Sequence, residues 1–346
     1  MWSSNLILGS LMNIALWNHV TADPLLSTIN GIPELSTFSM VLNGTGGSSG
    51  EPGPDIEERF NSVLDGRKFT AFVPTNAAFS KISADVLKVL TAATSYSLLL
   101  TIIRTHIAEG IFSEAELTDT NTTRSIQGFS LDFEDVGDSS ILDGQASVYF
   151  TNVSADNDLV HQIDQVLNPY TAYFGISNAT AQPVAAPDAE YLSIADIVAK
   201  RPDLSDVASI VKTIDPDFLT LLSQLDTDTD NKRVLFAPSN DAFTALPPGA
   251  LDSFVAPFNE AISAFLIRHH LTTIASQDII GSVQEGQSFA STDGLPVVIS
   301  GEGGSLRASN AAIQVDNLCS PNGCVIIVDK LLDPLYLAFG EIDRIS

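Results

Sequence analysis

Few residues in this chain stand in an arrangement that could do chemistry. Gly46-Gly47-Ser48-Ser49-Gly50 has the glycine-serine-glycine spacing of a nucleophile turn, in which a serine Oγ is raised to attack a carbonyl carbon. That chemistry needs a tight strand-to-helix turn with a histidine and an acid beside the serine. A run continuing into Glu51-Pro52-Gly53-Pro54 reads instead as a flexible loop, 43–54, so Ser48 is no nucleophile and no catalytic residue is assigned. Asp226, Asp228 and Asp230 begin like a calcium loop. The pattern then fails, with Asn231 where a glycine must turn the chain and Ala237 where a bidentate glutamate must close the site. No zinc-protease pair, phosphate loop or dinucleotide fingerprint occurs, so neither a metal nor a cofactor is implied.

His106 follows Ile103 by three residues and Leu99 by seven, on or beside an apolar helical face, where a lone histidine is a satisfied core group. The two cysteines, Cys319 and Cys324, flank Ser320-Pro321-Asn322-Gly323. That insert is a turn signal between two strand-like runs, which predicts a hairpin stapled by a disulfide worth at most about 2 kcal/mol. Glycosylation acceptors stand at Asn43, Asn121, Asn152 and Asn178, in stretches that read as loops or strand ends.

The elements that position these residues come in two sets. Phe72-Val73-Pro74-Thr75-Asn76-Ala77-Ala78-Phe79 returns as Phe236-Ala237-Pro238-Ser239-Asn240-Asp241-Ala242-Phe243, and His106 returns at the same spacing as His270. The run Val160 to Leu167 matches Val325 to Leu332, with Asp164 opposite Asp329. Three landmarks in one order predict two copies of one domain. In each copy, Pro closes a strand and the Thr75-Asn76 or Ser239-Asn240 side chains serve backbone N–H groups where helices begin. Tyr96, Leu99, Leu100, Ile103 and Ile107 keep the spacing of one buried helical face, as do Ile262, Phe265, Leu266 and His269. Alternating runs such as Ser147 to Phe150 and Leu295 to Ser300 follow as strands, so each copy is α+β. Leu35 to Phe38 is matched with Phe218 to Leu222. Leu42 lies 30 residues before Phe72 and Leu225 only 11 before Phe236, which predicts about 19 extra residues in copy one.

These landmarks resemble the fasciclin (FAS1) domain, twice over, across roughly residues 23 to 336. Thr105 and His269 stand where the family usually has tyrosine before the histidine; His161 fits the family's usual last-strand histidine and Ile326 departs from it. The resemblance implies two fasciclin-like domains, each a β-wedge or sandwich packed with helices, and a composition similar to short secreted fasciclin proteins of fungi. It further implies non-catalytic adhesion, with His106, His269 and His270 marking a candidate interaction surface. The partner would be an extracellular-matrix or cell-wall polymer or a cell-surface protein, and two copies would allow bivalent engagement.

Composition narrows the partners further. Of 346 residues, 16 are Lys or Arg and 42 Asp or Glu, a net charge of −26 that argues against nucleic acid or an anionic membrane surface. The apolar run Leu6 to Trp17, ending in Val20-Thr21-Ala22, reads as a signal peptide over 1–22. Domain one is then expected at 23–175, a linker at 176–190, domain two at 191–336 and a tail at 337–346. That tail lacks a hydrophobic anchor signal, so a released, extracellular or cell-wall protein is expected, not an integral membrane protein. A second expectation is a carrier holding a small apolar ligand between helices and sheet, whose sign would be a deep apolar cavity.

Overall fold

A computed structural model describes residues 25–44, 68–136, 140–155, 158–179, 184–185, 191–224, 231–256, 259–275, 283–302 and 305–336. The expected signal peptide, Ser48 with most of its Gly-rich loop, Asp226 to Asp230 and the tail 337–346 lie outside these residues.

Copy one runs α1 (Leu25–Asn30), α2 (Ser36–Gly44), β1 (Phe69–Pro74), α3 (Asn76–Ser80), α4 (Ala84–Leu90), α5 (Tyr96–Thr105), β2 (Ile107–Glu109) and α6 (Glu114–Thr120). It continues with β3 (Thr122–Arg124), β4 (Ser130–Asp135), β5 (Ser140–Leu142), β6 (Ala146–Ala155), β7 (Asp158–Ile163) and α7 (Thr171–Phe174). After β8 (Val184–Ala185), copy two supplies α8 (Ile194–Lys200), α9 (Ser205–Ile214), α10 (Pro216–Ser223), β9 (Asn231–Pro238), α11 (Asn240–Thr244), α12 (Ala250–Phe254) and α13 (Glu260–His269). Its sheet is completed by β10 (Leu271–Ala275), β11 (Ser288–Ala290), β12 (Pro296–Glu302), β13 (Ser305–Ala308), β14 (Ala311–Ser320) and β15 (Gly323–Val328).

The two sheets have one topology, β2-β1-β7-β6-β5-β4-β3 and β10-β9-β15-β14-β13-β12-β11. Only β1 with β7 and β9 with β15 run parallel along these paths. Strands β1 and β15 are buried at every position, because one face meets the helices and the other the curled interior of the sheet. That is why they read as continuous apolar runs without alternation. Phe72 and Phe236 are fully buried on the interior side, packing on Phe133 and Phe289 respectively. On the helical side, a single apolar cluster runs through both copies, from Leu25 to Leu335. Each copy is thus a mixed sheet flanked by helices, the α+β class.

The Pro-Thr/Ser-Asn phrase is structural. Thr75 caps α3 by accepting from Ala78 N at 3.2 Å. Asn76 reaches back to the start of α2: its Oδ1 accepts from Thr37 N at 2.9 Å, and its Nδ2 donates to Pro33 O and Ser36 Oγ. Asn240 does the same for α9, accepting from Asp206 N and donating to Pro202 O and Ser205 Oγ. Ser239 makes no such cap.

This bonding corrects two sequence-based expectations. The counterpart of α2 is α9, not the Phe218 helix, because the same asparagine holds both. With Leu35 paired to Leu204, 41 residues separate Leu35 from Asn76 and 36 separate Leu204 from Asn240, so copy one is longer by five and not by about 19. The α5 face also stops short of Ile107, which already belongs to β2, because the chain leaves helical geometry at His106. Replacing Asn240 by Ala should destabilise the chain by roughly 1–3 kcal/mol, since it strips the start of α9 of its anchor. Urea unfolding measures this, and an unchanged midpoint would refute the role given to the asparagine.

Candidate functional site

The repeated histidine closes each copy. His106 Nε2 accepts from Leu167 N at 2.9 Å, so the proton sits on Nδ1, which donates to Ile102 O at 2.7 Å. His270 repeats this with Leu332 N at 2.9 Å and Leu266 O at 2.8 Å. Each neutral ring therefore ties the end of a helix to the loop after the last strand. Burial holds His106 down at about 4 and His270 at about 3, against the backbone bonds that favour the charged form. His269 is buried as well, with Nδ1 2.9 Å from Asp293 Oδ2. His161 donates from Nε2 to Phe112 O at 2.8 Å and stacks on Phe72, while Ile326 takes the corresponding place as core.

These positions correct the expected interaction surface. His106 and His269 are 0% exposed and His270 6%, so none can touch a partner. Their spacing marked a helix face correctly, but that face points inward. The acceptor asparagines stand elsewhere: Asn121 and Asn178 are exposed, whereas Asn43 lies in the last turn of α2 and Asn152 within β6, neither at the loop or strand end expected. Cys319 and Cys324 face each other across the β14–β15 hairpin and are disulfide-bonded. Among the described residues, no group of three or more His, Cys, Asp or Glu could hold a metal ion.

Within the expected linker, the described residues contact copy two. Ser177 N donates to Asn310 O, its hydroxyl to Asp329 Oδ2, and β8 adds a parallel strand to β14. Val184 and Ala185 pair with Val315 and Asp316 of β14, so these described residues are tied to copy two's sheet.

Sequence reasoning missed where the copies meet. Asn168 Nδ2 donates to Asp333 Oδ2 at 2.6 Å, and these two residues hold equivalent places in the repeat. Each also accepts from the N–H two residues on, Tyr170 and Leu335, and each has its own N–H held by an amide, Gln145 or Asn310. Helix α5 packs on α13, its own counterpart. The pairing thus has approximate two-fold symmetry. Burial pushes Asp333 up to about 6, against the bonds from Leu335 and Asn168.

The symmetry breaks at the turns that follow β11 and β3. The turn Ser291 to Leu295 of copy two packs on α4, where a Cβ at Gly294 would stand 3.4 Å from Val89. The equivalent turn of copy one, Ser125 to Phe129, stands clear of α12, and a Cβ at Gly128 would meet nothing within 4 Å. Between that turn, α5, α7, α12 and α13 lies a cleft of about 570 Å³. By contrast, the apolar cavities between helices and sheet measure only about 30 and 20 Å³, room for a water or two. They are too small for the expected apolar ligand, because the helices close directly on the sheet.

The family profile for the fasciclin domain matches residues 55–169 and 202–334, and the chain belongs to that family, whose domain is a non-catalytic adhesion module. It is 34% identical over 150 residues to immunogenic protein MPB70 of Mycobacterium bovis, covering 43% of this chain and 71% of that protein. To cell surface glycolipoprotein MPB83 of Mycobacterium bovis it is 31% identical over 147 residues, 42% of this chain and 61% of that one. The FAS1 domain pair of the insect cell adhesion molecule fasciclin I aligns at 16% identity over 86% of this chain and 96% of that one, with a TM-score of 0.32, too low to carry an argument. None of these is fungal, so the expected likeness to fungal fasciclin proteins gains no support from them.

The neutral histidines set a pH dependence. Because burial lowers their folded values, the stability they confer is complete above about pH 6.5 and is lost as pH falls through about 4 for His106 and about 3 for His270. Asp333, and Asp143 raised to about 7 mainly by burial, act oppositely: their contribution is complete below about pH 4 and lost as pH rises through 6 and 7. The His106 share is on the order of 3 kcal/mol. In urea titrations between pH 7 and 4, His106→Gln should therefore be less stable at neutral pH and show a flatter profile. Equally steep profiles would contradict a neutral, buried His106.

Proposed function

We propose that this protein is a secreted adhesion module of the extracellular matrix or cell wall, acting through two fasciclin domains held side by side. The observation that carries the reading is the docked pair itself. Asn168 and Asp333 join equivalent loops, so equivalent outer surfaces of the two copies are presented at a set spacing. Linked weak sites at a fixed separation raise avidity by about 10² or more where the geometry fits. The partner class is a matrix or cell-wall polymer or a cell-surface protein; the −26 charge disfavours nucleic acid and anionic lipid. An extracellular place is supported by the name of the relative MPB83, a cell surface glycolipoprotein, and by the apolar start of the sequence. The exposed Asn121 and Asn178 are the acceptors best placed to carry glycans. Among the described residues, no single helix is long and apolar enough to cross a membrane.

Purified residues 23–346 should be retained on isolated cell wall or matrix across a salt series, with retention surviving at high salt, where long-range charge interactions are screened and contacts through the domain surfaces are not. Loss of retention at every salt concentration would overturn the adhesive reading.

A further inference from the structure

The cleft between the copies is unlike the rest of this chain in charge. Acidic residues outnumber basic ones 42 to 16 overall, yet among the described residues lining the cleft two are arginines, Arg104 and Arg124, and none is acidic. Arg104 lies in the last turn of α5 and Arg124 at the end of β3, so both are carried by regular elements and not by a loop. The facing walls are apolar and aromatic. Phe129 and Tyr173 meet edge to face with ring centroids 4.9 Å apart, and Phe254 and Ile262 close the opposite side from copy two.

A volume of about 570 Å³ lies within the range, roughly 300–1,000 Å³, of sites that enclose small organic ligands. Its existence depends on the broken symmetry, since the equivalent contact at Gly294 is filled by Val89. Asp132 and Asp143 line a separate pocket of about 210 Å³, which shares Phe129 and Tyr173 with the cleft. Both carboxyl groups thus lie beyond that aromatic wall, and the arginine side is the one suited to an anion.

We propose that the cleft between the two fasciclin copies is a binding site for an amphipathic carboxylate, its head paired with Arg104 and Arg124 and its apolar body laid against Phe129, Tyr173, Phe254 and Ile262. Guanidinium groups recognise carboxylates through paired N–H donors, and the partly enclosed aromatic wall strengthens that pairing by excluding water. The site uses the surface between the copies, whereas adhesion uses their outer faces, so the two functions can fail separately.

Calorimetric titration of residues 23–346 with decanoate, and with decyltrimethylammonium as a cation of the same tail, both below micelle-forming concentrations, tests the site. Decanoate should bind once per chain and at least ten-fold more tightly than the cation. Arg124→Gln, at an exposed position, should weaken decanoate at least five-fold without weakening the cation, and Ala250→Trp, which fills the cleft, should abolish decanoate binding. No binding of decanoate, equal affinity for the two amphiphiles, or full decanoate affinity in Arg124→Gln would overturn the proposal. If Ala250→Trp fails to fold, the charge comparison and Arg124→Gln still decide it.

Discussion

A neutral histidine buried at the end of a helix is the interaction on which the rest of this molecule depends. In copy one, His106 receives the N–H of Leu167; in copy two, His270 receives that of Leu332. The very next residues are Asn168 and Asp333, the pair that joins the copies. The histidine thus positions the loop, the loop presents the joining side chain, and the joined pair sets the cleft and the spacing of the outer surfaces. A charged imidazole could not accept from Leu167 or Leu332, so the arrangement requires the proton to stay off Nε2.

The repeat made much of this legible in advance. Phe72 to Phe79 and its return at Phe236 to Phe243 identified two copies, and the Pro-Thr/Ser-Asn phrase was recognisable as helix anchoring because its side chains can serve backbone groups and little else. The strand run at Val325 to Val328 was readable from its apolar continuity, and the turn between Cys319 and Cys324 from its Pro-Asn-Gly composition. Membership of the fasciclin family rests on the same landmarks and on the profile matches to both copies.

What could not be read was orientation and contact. A histidine three and seven residues from apolar neighbours is placed near a face, but whether that face looks at the core or at a partner depends on what lies across it. For His106 that is Phe38 and the loop at Leu167, distant in sequence. Asn168 and Asp333 carried no local signal either, since an Asx-Pro pair after a strand reads as a turn. Only the repeat register, which makes them equivalent, could have singled them out as a possible two-fold contact. The cleft was illegible for the same reason: it arises from the difference between Val89 lying against Gly294 and open space beside Gly128.

In the adhesive function we propose, the pairing matters more than any single group. Two adhesion modules on a loose tether would sample many separations, while two docked modules offer one. Distance measurement by double electron–electron resonance between spin labels at Ser80→Cys and Thr244→Cys tests this most directly, because both positions are exposed and equivalent in the repeat. A docked pair predicts a single narrow distance distribution that broadens when Asp333 is replaced by Ala. A broad distribution in the unmodified pair would contradict it.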